Sequence, residues 1–334
     1  MGGTGAVNRP IPSSYGRYCL GRAGQGLVVL ALSYLVVFLL LFFLPGDPIR
    51  ARLNDPESNY SPEQIDQLLA YYGLDEPLWV QLWHSVHRLA RGELGYSLST
   101  VEPVGRRIAQ ALPSTLELAT VTVVFAAALA LLVAAVAVAA PWEPLRRAAT
   151  TIPAALLSVP TFVIGLLVLQ VFSYNLGLFS TLRADGWTGA IPAAAVLALP
   201  VSAPVTRVII ENAREVKAEP YVTFARSKGL PEIRLLLAHI ARPSALPGVT
   251  MAGLAVAELV TGSVIVEAIF NRHGIGSVIE AAVSSQDSPV LLGVVLFAAG
   301  AIVAVNLLVD LLYPLLDPRL RDRVAVDSHA KVTP

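Results

Sequence analysis

The chain has 334 residues, 55% of them hydrophobic and 14% charged, with 24 basic and 24 acidic side chains and a mean hydropathy of +0.64. A soluble protein carries about a quarter charged residues, so this composition excludes an ordinary soluble enzyme and predicts an all-α integral membrane protein. Zero net charge gives no electrostatic ground for a nucleic-acid partner, and a single cysteine, Cys19, rules out an internal disulfide or a cysteine-based metal site.

In chain order, residues 1–23 read as a cytoplasmic tail, with Arg17 and Arg22 just before the first apolar run, Gly24 to Leu44. At about 1.5 Å per residue this run crosses ~30 Å of hydrocarbon. It is too long for a signal-peptide core and no small-residue cleavage site follows it, so 24–44 reads as a retained first transmembrane helix. Residues 45–110 form a polar extracytoplasmic helical insertion. There Ser61-Pro-Glu-Gln64 predicts a helix start, with Ser61 as N-cap, Pro62 at the first position and Gln64 closing a capping box. Trp79 to Leu89 predicts a second helix.

The remaining core, 111–314, holds five further apolar runs: Leu116–Ala140, Ile152–Tyr174, Ala190–Ile210, Ala245–Phe270 and Val290–Leu312. Pro153, Pro160, Pro192, Pro200 and Pro204 fall inside the third and fourth spans. Membrane helices tolerate them when neighbours satisfy the freed backbone groups, and they predict bent helices around a path. Residues 315–334 read as a C-terminal tail. Charge sets the orientation. Arg146, Arg147, Arg214, Lys217, Arg226, Lys228, Arg234, Arg242, Arg319, Arg321 and Arg323 lie on the N-terminal side, against Arg183 and Arg272 in the short opposite links. The positive-inside rule therefore gives six spans with both termini in the cytoplasm.

The cytoplasmic loop 214–243 is the longest polar interval after residue 110. Pro220 to Lys228 predicts a short helix with proline at its first position. Gly229 follows as the left-handed residue past the end, and Pro231 bars continuation. Tyr221, Phe224, Ala225 and Lys228 fall on one side at helical spacing. Pro231 then opens a second segment, Glu232 to Arg242, which Pro243 interrupts. On pattern alone the loop is either solvated or an amphipathic helix resting on lipid headgroups.

The segment Tyr221-Val-Thr-Phe-Ala-Arg-Ser-Lys-Gly229, with Pro247 downstream, resembles the EAA-type loop of binding-protein-dependent ABC importer permeases of the dipeptide/oligopeptide type. The family's Glu-Ala-Ala stands here as Thr223-Phe224-Ala225, and Pro220 takes a place where an acidic residue is common. Leu44-Pro-Gly-Asp-Pro48, Gly73-Leu-Asp-Glu-Pro-Leu78, Arg91-Gly-Glu-Leu-Gly95 and Leu112-Pro-Ser-Thr-Leu-Glu117 extend the resemblance over roughly residues 17–323. It implies a type I permease fold in a bacterial plasma membrane. It also implies that Tyr221, Phe224, Ala225, Arg226, Lys228 and Gly229 form a coupling helix in a groove of an ATPase subunit. The implied partners are a second related permease, two ATPase subunits and an extracytoplasmic substrate-binding protein, with membrane lipid around the spans.

No G-x-x-x-x-G-K-[ST] loop, H-E-x-x-H or G-x-S-x-G occurs. Neither catalysis nor a cofactor is therefore expected in this chain, and ATP would be bound by the partners. His84 and His87 read as the polar face of a helix, since no further metal ligand stands at suitable spacing. Gly274-Ile-Gly276 resembles the family's aromatic-Pro-Gly-x-Gly turn, with Arg272-His273 in place of the aromatic-Pro pair. Among intramembrane polar residues, Asn306 and Asp310 lie one turn apart on span six. Glu267, near the outer end of span five, is expected to reach water. Glu258, 11 residues beyond Pro247, lies roughly 16 Å along that span and reads as either a buried hydrogen-bonding carboxyl or a group lining the path. A passive channel or exporter could use the same spans without an ATPase-docking loop, and an intramembrane enzyme would need a catalytic pair.

Overall fold

The structure is a computed structural model that describes residues 13–43, 61–72, 76–181 and 186–316. Its helices are α1 (Ser13–Phe43), α2 (Pro62–Tyr72), α3 (Leu78–Ala90), α4 (Val104–Ala139), α5 (Glu143–Leu157), α6 (Thr161–Val168), α7 (Trp187–Ala218), α8 (Pro220–Ser227), α9 (Glu232–Leu235), α10 (Arg242–Ile269), α11 (Ile275–Ser284) and α12 (Ser288–Leu316). Two π-helical turns extend this set: Leu169–Asn175 continues α6, and Leu236–Ala241 joins α9 to α10. Among the described residues the only extended pairing is an isolated bridge between Tyr96 and Pro103. The predicted capping box is formed at α2, where Gln64 N–H donates to Ser61 Oγ at 3.3 Å and Ser61 N–H to Gln64 Oε1 at 2.9 Å. The Leu44–Pro48 and Gly73–Asp75 motif residues, Arg183 and the tail from 317 lie outside the described residues.

Among the described residues four stretches are long and apolar enough to cross a bilayer: Leu20–Leu41, Val104–Ala139, Gly189–Ala218 and Ser288–Val309. A fifth, in α10, consists of Pro247–Ala255 and Leu259–Ile269 set at 52°. The run expected as one third span, Ile152–Tyr174, is divided. α5 passes through Pro153 and ends at Leu157, and a new helix starts at Thr161. Proline disfavours a helical conformation in the residue before it, residues 158–160 are non-helical, and the Pro160 carbonyl accepts from Val163 N–H at 2.9 Å to start the next turn. The helical stretch Thr161–Asn175 that follows spans about 22 Å. Fourth-span prolines act otherwise: α7 runs unbroken through Pro192, Pro200 and Pro204.

α7 is the central helix, packed between α4 and α10. Its small residues Ala190, Ala193, Ala194 and Ala198 are buried against Leu118 of α4 and Leu259 of α10. Small residues on α10 allow the close approach expected of them. A Cβ on Gly262 would stand 2.8 Å from Leu197, and one on Gly253 2.7 Å from Val309 of α12. Smaller apolar clusters flank this core, two of them toward opposite ends of the bundle. One joins Val104, Ile108 and Ala111 of α4 to Ile275 and Ala282 of α11 and Val290 of α12. The other joins Ala213 of α7 to the 220–241 loop. α1 flanks the bundle on α12, with Gly26 against Val303 and Gly300 opposite Leu30.

Candidate functional site

The candidate coupling site is built on α8. Pro220 occupies the first position, after an extended Glu219. Val222 is fully buried and Ala225 nearly so, packed with Ala213, Leu235 and Ile240. Residues three apart share a helix face, and here that face meets the chain's own loop. Ala225 therefore points inward, away from the side it was expected to share with Phe224. The outward side carries Phe224, 61% exposed, and Tyr221, 45% exposed. Lys228 Nζ lies 4.5 Å from the Phe224 ring centre, a cation–π contact. Gly229 has φ +80° and donates its N–H to Arg226 O at 2.9 Å. That is the left-handed stop its sequence context predicts.

Two contacts tie α8 to the segment that follows it. Arg226 pairs with Glu232 at the start of α9, at 3.0 Å. Tyr221 Oη donates to His239 O at 3.2 Å. That carbonyl lies four residues before Pro243, which has no N–H to offer it. The same proline was expected to interrupt the helix. The π-helical turn Leu236–Ala241 instead widens the coil and carries α9 into α10. At the foot of α7, Lys217 Nζ donates to Val138 O at 3.3 Å, a cation at the C-terminal end of α4.

Among the described residues, the opposite end of the bundle holds two buried polar centres. α10 stops in a Schellman motif: Asn271 takes φ +51°, Arg272 N–H returns to Glu267 O at 2.9 Å, and Asn271 N–H reaches Ala268 O at 3.3 Å. This turn delivers the Arg272 side chain, fully buried, to Glu117 Oε2 at 3.1 Å, Ser114 Oγ at 3.1 Å and Ser114 O at 3.2 Å. Both acceptors belong to the Leu112–Glu117 motif. Glu267 does not reach water, contrary to expectation. It is fully buried because the start of α11 folds over it, and its Oε2 accepts from Gly276 N–H at 2.6 Å. A Cβ at Gly274 would overlap the Glu267 carboxyl, and one at Gly276 would stand 2.6 Å from the Val264 backbone. The Gly274-Ile-Gly276 pattern is thus a requirement of close approach, and Thr115 Oγ1 completes it by accepting from Ile275 N–H at 2.8 Å.

The second of these centres is Asp287, which sequence reasoning missed. α11 also ends in a Schellman motif, with Gln286 at φ +52° and Asp287 N–H on Ala282 O at 2.8 Å. The buried Asp287 carboxylate accepts from Ser97 Oγ at 2.5 Å, Ser99 Oγ at 2.6 Å, Leu98 N–H at 3.1 Å and Ser99 N–H at 3.2 Å. Arg107 lies 3.9 Å away. The carboxylate also stands before the first turn of α12, with Val290 N–H at 3.4 Å. An Asp followed by Ser-Pro is an N-cap signal that could have marked it in the sequence. Its loop partners, some 190 residues upstream, could not be read.

Of the intramembrane candidates, Asn306 is half-buried on α12. Glu258 lies at the break between the two pieces of α10, and Asp310 lies on α12. Both side chains, like that of Cys19, fall outside the described residues. His84 faces Glu76 at 3.4 Å and His87 stacks on Trp83. Among the described residues no three His, Cys, Asp or Glu side chains converge as metal ligands.

Residues 130–322 match the family described as "Binding-protein-dependent transport system inner membrane component". Residues 16–119 match the corresponding N-terminal family, "Binding-prot-dependent transport system membrane comp, N-term". The chain is 35% identical over 288 residues to the "Glutathione transport system permease protein GsiC" of Escherichia coli O6:H1, covering 86% of this chain and 92% of that protein. It is 34% identical, with the same coverage, to proteins of that name from Shigella boydii serotype 4 and Escherichia coli K12.

Proposed function

Because the chain belongs to the binding-protein-dependent transport system inner membrane component family, the permeases of bacterial ABC importers, we propose that it translocates peptides or glutathione-like small solutes by alternating access, driven through α8. Family membership places it in the inner membrane as a multi-pass permease, working with an extracytoplasmic binding protein and with ATP hydrolysis in separate subunits. In this reading the chain crosses the membrane six times with both termini inside, the third crossing being supplied by Thr161–Asn175 with the end of α5. It pairs with a second related permease, and two ATPase subunits dock below. Glu258, Asn306 and Asp310 are the candidate polar groups along the path.

The observation that supports this reading most is the two-sidedness of α8. Its inner face is packed onto the loop that leads from α7 into α10, while a bare aromatic ring, Phe224, points away from the protein. A push on Phe224 is therefore passed to α7 and α10. Phe224→Asp tests this without disturbing the fold, because the side chain is exposed. Losing an aromatic anchor costs about 2 kcal/mol or more, roughly 30-fold in affinity. Uptake and solute-stimulated ATP hydrolysis should fall while membrane levels hold. Unchanged uptake would remove α8 from the coupling route.

A further inference from the structure

We propose that α3 is an interfacial membrane helix whose Trp79, Trp83 and Val86 face is sunk into the lipid of the outer leaflet. At positions i, i+4 and i+7 these residues share one side of α3. They are 73%, 68% and 42% exposed, and Ala90 continues the same side. Two bare indoles on one face are unusual in a helix that water surrounds, whereas tryptophan is enriched at the membrane–water boundary. The opposite side of α3 is tethered. Ser85 Oγ and Tyr34 Oη share a hydrogen bond of 2.6 Å, and Arg88 Nη1 donates to Tyr71 O at 2.6 Å, with its guanidinium 4.7 Å from the Tyr71 ring centre.

The Tyr34 contact fixes the depth of the helix. Tyr34 lies seven residues short of Leu41, where the apolar stretch of α1 ends, or about 10 Å at 1.5 Å per residue. Packing on α12 gives a second measure. Gly26 meets Val303 and Leu30 meets Gly300, so the antiparallel register brings Tyr34 level with about residue 296. That is some eight residues, or about 12 Å, below Ser288, where the apolar stretch of α12 begins. Both measures put the middle of α3 below the outer ends of the spans. An interfacial helix buries its apolar face about 5–10 Å into the headgroup and acyl boundary. His84, on the flank of α3, pairs with Glu76 and marks the side turned to water.

The test is site-directed spin labelling of the assembled transporter in liposomes, with Cys19 replaced by serine and single cysteines at Trp79, Trp83 and, as a water reference, Glu63. Labels at 79 and 83 should be more accessible to oxygen than to a water-soluble nickel chelate, with the order reversed at 63. A second measurement keeps the native residues: lipids brominated near the headgroup should quench Trp79 and Trp83 fluorescence in a chain whose Trp142 and Trp187 are phenylalanine. Chelate access at 79 and 83 equal to that at 63 would overturn the proposal. So would chelate access that disappears only when the binding protein is added, since the face would then be a protein-docking surface. Neither reading depends on transport, so failure here leaves the assignment of α8 untouched.

Discussion

Replacing Asp287 should release the loop that its carboxylate holds, residues 96–101. The carboxylate receives four hydrogen bonds from Ser97, Leu98 and Ser99 at 2.5–3.2 Å, those from Ser97 and Leu98 buried and those from Ser99 part-buried. With alanine there, Leu98 N–H and Ser97 Oγ lose a charged acceptor and stay in a dry site, at about 1–3 kcal/mol each. Arg107 also loses its counter-charge. Such losses are not additive, and breaking one partner of a buried charged network costs about 3–5 kcal/mol. Asparagine should be milder. Its oxygen can stay on Leu98 N–H, and its amide can face the two serine hydroxyls, which rotate to accept it. Only Ser99 N–H would then meet a donor. Hydrogen exchange of the segment 96–101 reads the effect locally. At about 1.4 kcal/mol per tenfold, Asp287→Ala should speed exchange there by roughly 100-fold or more, and Asp287→Asn by far less. Equal protection in all three proteins would refute the argument that Asp287 holds this loop.

Other substitutions separate backbone, packing and polar effects. Gly229→Val should lower uptake through strain at φ +80°, where open space surrounds the residue and a left-handed β-branched residue costs about 1–3 kcal/mol; Gly229→Asn, which tolerates that region, should retain most of it. Ala225→Glu should expose the 214–243 loop to protease added to inside-out vesicles, because it buries an unpaired charge among Val222, Leu235 and Ile240. Gly276→Ala should lower the thermal stability of the purified transporter, since its Cβ would press on the Val264 backbone; an unchanged midpoint would mean that the turn has slack. Tyr72→Phe should loosen the 91–96 turn by about 1 kcal/mol per bond, read as faster exchange there, because its hydroxyl both donates to Tyr96 O at 2.8 Å and accepts from Tyr96 N–H at 3.0 Å. Burial pushes the Tyr72 phenol up, so it stays a donor at any physiological pH.

What could be read in the sequence was local. The capping box at Ser61 and Gln64, the proline start of α8 and the left-handed Gly229 follow from residue type and spacing, and each is present. Long apolar runs marked α1, α4, α7, α10 and α12 because their signal is summed over some twenty residues. The third run misled because it was read as one span with two bends, whereas Pro160 ends a helix and Pro153 does not. The errors at the sites share one cause. Whether Ala225 faces in or out, and whether Glu267 meets water, depends on what other elements cover it. The Arg272–Glu117 and Asp287–Ser97 pairs join residues more than 150 positions apart, beyond the reach of any spacing rule.

The most direct test of the central claim is photo-cross-linking from α8 in the working transporter. A benzophenone amino acid at Phe224, in membranes containing all partners, should form an adduct with an ATPase subunit on illumination, and the yield should change when ATP is added. The same residue at Glu63, exposed on α2, should give no such adduct. Adducts from Phe224 to lipid alone would contradict the account and return α8 to a helix resting on the membrane surface.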